Sequence, residues 1–277
     1  MEGQQVNAVR GLTDFLARFI SEYRPTHLAC CWDEAWRPAW RVALVPSYKA
    51  HRVAHGDVEV VPDELVAQIP LIRAVLHTLG LPVVGVAGME ADDVIGTLAA
   101  TSPMPVDIVT GDRDLFQLVD DERRVRVLSV VRGVAKHERV TDEWLAAKYG
   151  ITGAQYADFA TLRGDASDGL PGVSGIGEKT AAALIAGHGD LEGVMAAVAA
   201  GRLAPGVGAK LRAGMDYLAA AREVVGVRTD LALPLGWDAL ELGAAPTDPD
   251  GFADLAEALN LGGAAERLLA ALAGNAA

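Results

Sequence analysis

Cysteine is scarce in this chain, since Cys30 and Cys31 are its only two and they are adjacent. Neighbouring strand residues point to opposite faces, so a disulfide between these two is disfavoured, and two adjacent thiols do not form a zinc site. Long apolar runs are also missing, because glycine and proline interrupt stretches such as LGLPVVGVAGM. The first residues, MEGQQVN, lack the pattern of a signal peptide. We therefore expect a cytoplasmic protein that does not enter a membrane.

Basic residues are few as well: 24 Lys and Arg stand against 37 Asp and Glu, which gives a formal net charge of -13. Nucleic-acid-binding proteins usually have a basic face, so this balance argues against that class. Many acids gathered at one metal site would remove this objection, because bound cations offset their charge. The 51% hydrophobic content is typical of a globular protein, and 277 residues suffice for one large domain or two small ones.

Strand-like and helix-like patterns alternate over the first half of the chain. HLACCWD, PVVGV and VDIVT read as strands, and segments with helical spacing of apolar residues lie between them. This alternation predicts an α/β fold with a largely parallel central sheet flanked by helices. From about Thr141 the pattern is helical. We predict an α/β lobe over 1–140, a helical lobe over 141–232, and a helical tail over 233–277 that packs on the body.

Acidic residues follow the ends of the predicted strands or begin the next helix. In an open parallel sheet the carboxyl ends of the strands meet at one edge, where ligands bind. Oxygen ligands without paired His or Cys favour Mg²⁺ or Mn²⁺, and two such ions support phosphoryl chemistry. The predicted metal-ligating residues are Asp33, Glu90, Asp92, Asp93, Asp112, Asp114, Asp165 and Asp168.

Each acidic group also has a purely structural interpretation. EADD at a helix start complements the helix dipole, and GDRD is compatible with a loop that holds an N-cap. Asp165 and Asp168 are compatible with turn residues that bond their own backbone. The joint placement of four groups at one sheet edge favours the metal site.

The stretch PGVSGIGEKTAAALI predicts a helix-hairpin-helix element. Gly172, Gly175 and Gly177 let the backbone approach a phosphate closely, and the following helix offers free N–H groups. Lys179 adds a positive charge there, and Thr180 lies beside it. Such contacts position DNA without reading its sequence. The alternative is a plain connection between two helices with glycine as the cap.

A basic and aromatic stretch covers about residues 36–60, and a second glycine-containing stretch, PGVGAKLRAG, covers 205–214. Cations interleaved with aromatic rings suit single-stranded nucleic acid through charge and stacking, although a solvated charged loop is the alternative. We predict DNA contacts from Arg37, Arg41 and Tyr48. The second stretch is a weaker candidate for the same work as the hairpin.

Together these motifs resemble the bacterial 5′-nuclease family, which includes phage 5′ exonucleases, flap endonucleases and the N-terminal nuclease domain of DNA polymerase I. EADDVIGTLA, TGDRDLFQLV, RGDASDGLPGVSGIGEKTA and PSYKAHR carry the resemblance, which extends over nearly the whole chain. It implies a PIN-like (flap-endonuclease-like) catalytic lobe followed by the helix-hairpin-helix lobe. It also implies a metal-dependent 5′-3′ exonuclease or flap endonuclease of replication and repair. Such a protein acts as a monomer on DNA with 5′ flaps, 5′ ends or nicks.

The resemblance implies a role for each group of residues. The acids implied to bind the first metal are Asp33, Glu90, Asp92 and Asp112. Those implied to bind the second metal are Asp114, Asp165 and Asp168, and Asp93 is implied to support the site from the outer shell. Lys49 and Arg52 match the catalytic cations of a helical arch that steers the scissile phosphate, and Tyr48 is implied to stack on a terminal base. The hairpin is implied to grip duplex DNA and to hold K⁺ through backbone carbonyls.

One departure from the family concerns its first strand, which normally ends in an Asp-Gly pair whose Asp binds the first metal. No residue of this sequence matches that Asp. We expect either a start codon assigned too late or a truncated protein with a weakened site. The rival functions are a catalytically weakened or inactive protein that binds DNA junctions and a ribonuclease of related architecture.

Overall fold

A computed structural model describes residues 5–56 and 58–275. The chain divides into two compact units. The first holds the described residues of Met1–Trp32, Val60–Val86 and Ala232–Ala277, and the second holds those of Asp33–Glu59 and Ala87–Leu231. The predicted boundaries at 140 and 232 stay a prediction.

The helices of the described residues are, in chain order, α1 (Asn7–Tyr23), α2 (Ala39–Leu44), α3 (Asp63–Val66), α4 (Ile69–Leu79), α5 (Ala91–Thr101), α6 (Asp142–Tyr149), α7 (Tyr156–Arg163), α8 (Glu178–His188), α9 (Leu191–Ala199), α10 (Pro205–Ala213), α11 (Met215–Val225), α12 (Pro249–Ala258) and α13 (Gly263–Asn275). The strands are β1 (Cys30–Cys31), β2 (Val53–His55), β3 (Val58–Glu59), β4 (Val83–Val84), β5 (Val106–Thr110), β6 (Val125–Ser129) and β7 (Glu138–Val140).

The first unit is built from α1, α3, α4, α12, α13 and the parallel pair β1 and β4. Apolar residues at helical spacing, among them Val9, Leu16 and Ile20, bury one face of α1, which packs on α13 and α4. Residues 63–79 have the spacing of one continuous helix, but the structure divides them into α3 and α4. Pro70 lies in the first turn of α4 and has no N–H to continue α3.

The second unit has its own apolar core. In its sheet β5 runs parallel to β6 and β7 runs antiparallel to β6. Ile108 and Val127 of these strands share the core with Tyr156 and Phe159 of α7, which are fully buried. Helices α8 and α11 pack on α7. The same core includes Ile108 of β5 and Val173 and Ile176 of the loop before α8.

The parallel strand pairs of the predicted sheet are present, but the described residues form three separate sheets instead of one. These are β1–β4, β2–β3 and β5–β6–β7. Over the same residues no single helix is long and apolar enough to cross a membrane, and only the bent pair α8 and α9 passes that test, when taken together.

Candidate active site

Two of the predicted acids lie at the carboxyl end of β5. The N–H of Asp112 donates to Thr110 Oγ1 at 2.9 Å, which turns the chain as the strand ends. The Oδ1 of Asp112 then accepts from the N–H of Asp114 at 2.8 Å, and Asp114 begins a short 3-10 helix. The strand therefore delivers two carboxyl groups to its end, as the sequence pattern predicts.

Three further acids lie at the start of α5. Glu90 and Asp93 form a capping box, in which each side chain accepts a hydrogen bond from the other's backbone N–H. Asp33 joins this helix start, because its Oδ1 accepts from the N–H of Ala91 at 2.7 Å. Asp92 follows in the first turn. The cap and the charge cluster thus coexist, because Glu90 and Asp93 also bond the backbone at the start of the helix.

Asp165 and Asp168 lie in the loop after α7. Asp165 Oδ1 accepts from the N–H of Ser167 at 2.9 Å and so caps the 3-10 turn Ala166–Asp168. Burial pushes the pKa of Asp165 upward, but the hydrogen bonds from the Ser167 side chain and backbone outweigh it and leave the pKa lowered. Arg163 adds to that lowering, since its Nη2 lies 3.2 Å from Asp165 Oδ2.

The electrostatics of Asp92 link three of these segments. Burial, which disfavours the charged form, is the main reason that the pKa of Asp92 rises to about 7. The negative charges of Asp112, Glu90 and Asp33 contribute to the same rise, while Lys49 opposes it. Asp92 therefore lies near Asp112, which follows β5, near Glu90, which caps α5, and near Asp33.

Asp114 links the remaining segment. Its pKa lies well above its usual range, first because of burial and then because of the charges of Asp112, Asp168 and Asp165. Asp112 acts on both Asp92 and Asp114, so the acids form one coupled group. We call this group the acid cluster; its members are Asp33, Glu90, Asp92, Asp112, Asp114, Asp165 and Asp168.

The acid cluster fits a hard divalent cation. All its donors are carboxylate oxygens, and the Oδ1 atom of Asp114 is buried with no hydrogen-bond partner among the described residues. A bound cation would satisfy that atom and relieve the mutual repulsion that raises the pKa values. Within residues 5–56 and 58–275, however, no three His, Cys, Asp or Glu side chains already form a group that could hold a metal ion.

Cationic side chains of the chain itself neutralise part of the acid cluster in this structure. The ammonium of Lys49 donates to Glu90 Oε1 and lies 4.0 Å from Asp168 Oδ2. Arg52 Nη2 donates to Asp168 Oδ1 at 2.9 Å. Burial raises the pKa of Glu90 although Lys49 and Arg41 oppose it. Lys49 and Arg52, the predicted catalytic cations, therefore do lie against the acids.

The loop that carries Lys49 packs tightly on the loop of Asp168. The N–H of Lys49 donates to the carbonyl of Asp168 at 2.8 Å, and a Cβ on Gly169 would lie 2.2 Å from the Ser47 carbonyl. Lys49 has a φ of 48°, a left-handed conformation that is strained for a side chain with a Cβ. Strain of this kind persists only where surrounding contacts enforce it, which marks Lys49 as a precisely placed side chain.

Two predicted DNA contacts differ from the prediction. Arg41 is only 2% exposed; its guanidinium bonds both oxygens of Asp93 and also Glu90. Tyr48 is 4% exposed and its hydroxyl donates to Glu90 at 2.9 Å. Neither side chain is accessible to DNA here, so the predicted DNA contact of Arg41 and base stacking of Tyr48 are corrected. The sequence did not reveal that Arg41 and Tyr48 are buried partners of the acids. A basic and aromatic stretch does not indicate which of its side chains point into the protein.

Arg37, the third predicted DNA contact of the basic stretch, bonds backbone carbonyls of its own loop. Its Nε donates to the carbonyl of Tyr48, and its Nη2 donates to the carbonyl of Pro46 at 3.0 Å. These bonds hold the loop that carries Lys49. Asp93, predicted as a metal residue, is fully buried against Arg41 and lies outside the acid cluster.

The predicted hairpin precedes α8 as the sequence pattern indicates. Gly172 and Gly175 have φ values of +67° and +76°, and a Cβ on Gly172 would lie 2.4 Å from the Arg163 carbonyl, so glycine is required there. Gly177 is the N-cap of α8, and no side chain in the described part of the chain caps this N-terminus. Lys179 is exposed and Thr180 half-buried in the first turn. This helix start therefore offers N–H groups to an anion.

Comparisons with known proteins agree with this arrangement. A model of the 5′-3′ exonuclease N-terminal resolvase-like domain matches residues 1–150, and one of the 5′-3′ exonuclease C-terminal SAM fold matches residues 151–248. A 5′-3′ exonuclease of Streptomyces coelicolor is 55% identical over 278 residues, which cover 98% of this chain and 92% of that protein. A 5′-3′ exonuclease of Mycobacterium tuberculosis is 46% identical, with 98% and 90% covered.

Solved structures share the fold at low identity. Bacteriophage T5 5′-exonuclease, in a structure with bound divalent metal ions (zinc), has a TM-score of 0.63 and 16% identity, with 100% of this chain and 93% of that chain covered. The catalytic core of Rad2 in complex with DNA substrate has a TM-score of 0.52 and 18% identity, with 95% and 84% covered. The predicted fold class and nuclease function are confirmed. The chain belongs to the 5′-3′ exonuclease family, with a resolvase-like domain followed by a SAM-fold domain.

Proposed function

We propose that this protein hydrolyses phosphodiester bonds of DNA from a 5′ end and at the junction of a 5′ flap, as a monomer that uses Mg²⁺ or Mn²⁺. The observation that carries the proposal is the acid cluster, in which burial and mutual repulsion raise the pKa values of Asp92 and Asp114. A protein that only binds DNA has no use for such concentrated negative charge, which repels phosphate unless cations offset it.

The residues proposed to hold the ions are those predicted from the sequence, apart from Asp93. They are Asp33, Glu90, Asp92 and Asp112 for one ion, and Asp114, Asp165 and Asp168 for the other. When bound, the ions would supply Lewis-acid stabilisation of the charge that develops on the phosphate. Asp93 supports the site indirectly, because it orients Arg41, which in turn bonds Glu90.

Lys49 and Arg52 are proposed to orient the scissile phosphate. Both carry fixed positive charge on a loop held against the acids, so they can pair with a phosphate oxygen once their own carboxylate partners are otherwise engaged. Arg52 is the more accessible of the two, since its side chain is 34% exposed and that of Lys49 is 11% exposed. We therefore assign the first phosphate contact to Arg52 and the closer one to Lys49.

The hairpin and the start of α8 are proposed to hold the duplex part of the substrate. Gly175, Gly177 and Lys179 are exposed, so the backbone and one ammonium can approach DNA phosphates. Such contacts carry no base information. The protein is accordingly proposed to recognise the shape of a junction, a nick or a 5′ end.

The test is cleavage of a 5′-labelled DNA flap with Mg²⁺ or Mn²⁺, with EDTA as the control. Cutting near the junction that requires the cation supports the proposal. A folded protein that binds the flap in Ca²⁺ and never cuts it would instead support the binding-only alternative. A matched RNA flap run in parallel decides between a deoxyribonuclease and a ribonuclease.

A further inference from the structure

A lysine from another helix lies directly on the hairpin. Lys210 is in α10, and its Nζ donates to the carbonyl of Gly175 at 3.0 Å. The contact is close along the whole end of the side chain, because a Cβ on Gly175 would lie 2.8 Å from Lys210 Nζ and 2.9 Å from its Cε. The ammonium is thus seated on the hairpin backbone while Lys210 as a residue stays exposed.

Further contacts fix the hairpin to α11 and to the connection between α10 and α11. The N–H of Gly172 donates to the hydroxyl of Tyr217 in α11 at 3.0 Å. Gly214, between α10 and α11, lies so close to Val173 that a Cβ there would be 3.1 Å from it. Lys210 therefore approaches Gly175 from a braced helix pair, which limits the freedom of its side chain.

The K⁺ ion that the family resemblance implies does not fit this arrangement. Backbone carbonyls bind K⁺ because their oxygens replace its hydration shell. Here the Gly175 carbonyl already accepts a bond from a fixed monovalent cation, and a second cation placed beside the ammonium would be repelled. The ammonium has three donors, so donors remain for an anion after one is used by Gly175.

We propose that Lys210 takes the place of a monovalent cation at the hairpin. Its ammonium donates a hydrogen bond to the Gly175 carbonyl and presents positive charge to a DNA phosphate, so that duplex binding does not require K⁺. This inference rests on the proposed DNA-binding function of the hairpin. It also gives the stretch PGVGAKLRAG its role, as the support of that cation.

The test measures the affinity of the full chain for a flap DNA by fluorescence anisotropy in Ca²⁺, at equal ionic strength in potassium, sodium or tetramethylammonium chloride. The variants are K210Q, K210R and the matched control K136Q, which removes an exposed lysine from the loop before β7. We expect the wild type to bind equally in all three salts. In tetramethylammonium chloride, K210Q should bind the flap DNA about three- to tenfold more weakly than the wild type, because it has lost one cation that faces a phosphate. In potassium chloride its affinity should return to that of the wild type. K210R and K136Q should behave like the wild type.

Three results overturn the inference. The first is a wild type that binds several-fold more tightly in K⁺ than in tetramethylammonium. The second is K210Q binding as tightly as the wild type in every salt, and the third is K210Q weakened equally in every salt, because then no ion replaces the ammonium. If the wild type binds the flap DNA in none of the three salts, the proposed function itself is contradicted. That outcome is distinct from the three results that overturn only the role of Lys210.

Discussion

The guanidinium of Arg41 bonds both carboxylate oxygens of Asp93, at 2.8 Å and 2.7 Å, and the two side chains are only 3% and 0% exposed. The same guanidinium donates to Glu90 of the acid cluster. The backbone carbonyl of Val224 in α11 accepts from its Nε at 3.1 Å. One buried cation therefore ties the start of α5 to the helical part of the second unit, and it orients a carboxylate that faces the acids.

The first prediction concerns this cation. R41M leaves Glu90 and Asp93 as buried carboxylates that have lost an opposite charge. The free energy of unfolding should fall by about 3–5 kcal/mol, the usual loss when one partner of a buried pair is removed. Urea unfolding followed by circular dichroism measures it. The control is R132M, since Arg132 pairs with Glu138 at 3.6 Å with its side chain 69% exposed; it should lose less than about 1 kcal/mol. Equal losses in the two variants would show that Arg41 is an ordinary surface cation.

The second prediction concerns the residue that joins the acid cluster. Asp112 raises the pKa of both Asp92 and Asp114, so D112N removes repulsion and should make the metal-free protein slightly more stable. The same change removes a proposed metal ligand. Flap cleavage should therefore fall by about two orders of magnitude or more, because metal ligation contributes several kcal/mol to the transition state.

Binding of the flap in Ca²⁺ should stay largely intact in D112N. The control is D107N on β5, where Asp107 is exposed and paired with Arg126 at 2.6 Å. It should cut at the wild-type rate. A D112N protein that cuts normally would remove Asp112 from the proposed ligand set.

The third prediction is a pH dependence of the stabilisation by Mg²⁺. Because the pKa of Asp92 is raised to about 7, the metal-free fold keeps this carboxyl protonated in acid. The stability that comes from that proton is fully present below the usual pKa of an Asp and is lost as the pH rises through about 7. A cation must displace the same proton, so its apparent affinity should fall about tenfold for each pH unit below 7.

Thermal unfolding with and without Mg²⁺ at about pH 6 and about pH 8 measures this effect. The increase in Tm should be larger at the higher pH, where the carboxyl group of Asp92 has lost its proton. D92N should reduce the pH dependence, while Asp114 and Glu90, whose pKa values are also raised, keep part of it. The same increase in Tm at both pH values in the wild type would contradict the assignment of Asp92 as a ligand.

The fourth prediction compares two glycines of the hairpin. Gly172 has a φ of +67° and no room for a Cβ beside the Arg163 carbonyl, so G172A should lower both stability and DNA affinity. The expected loss is about 1–3 kcal/mol of unfolding free energy. Gly177 has a φ of -90°, and no atom lies within 4 Å of the position that a Cβ would take there, so G177A should fold as the wild type does. Thermal unfolding and anisotropy together give both quantities; equal stability of the two variants would contradict the structural reason given for Gly172.

Most of the site's placement followed from local pattern. The position of acids after parallel strands predicts that Asp112 and Asp114 meet the acids at the start of α5. They do meet, although β4 and β5 belong to separate sheets among the described residues. The spacing of Gly172, Gly175 and Gly177 predicts a hairpin, since only glycine adopts the positive φ values of its first two glycines without strain. These features depend on residue type and period, which are properties of the sequence itself.

The partners of the charges depended on the tertiary structure. Arg37, Arg41 and Arg52 look alike in the basic stretch, yet one bonds the backbone, one is buried against Asp93 and one faces Asp168. No local rule distinguishes them, because the outcome depends on which carboxylates distant segments bring within reach. The same is true of Lys210, which is separated from Gly175 by 35 residues.

The sequence by itself determined most of the helices and strands, the family and the chemical nature of the acid cluster, since these follow from periodicity and from ordered motifs. Only the tertiary structure decided which cations neutralise those acids and which lysine is seated on the hairpin. The physical reason is that electrostatic and hydrogen-bond partners are set by burial and distance between segments, which the order of residues along the chain does not contain.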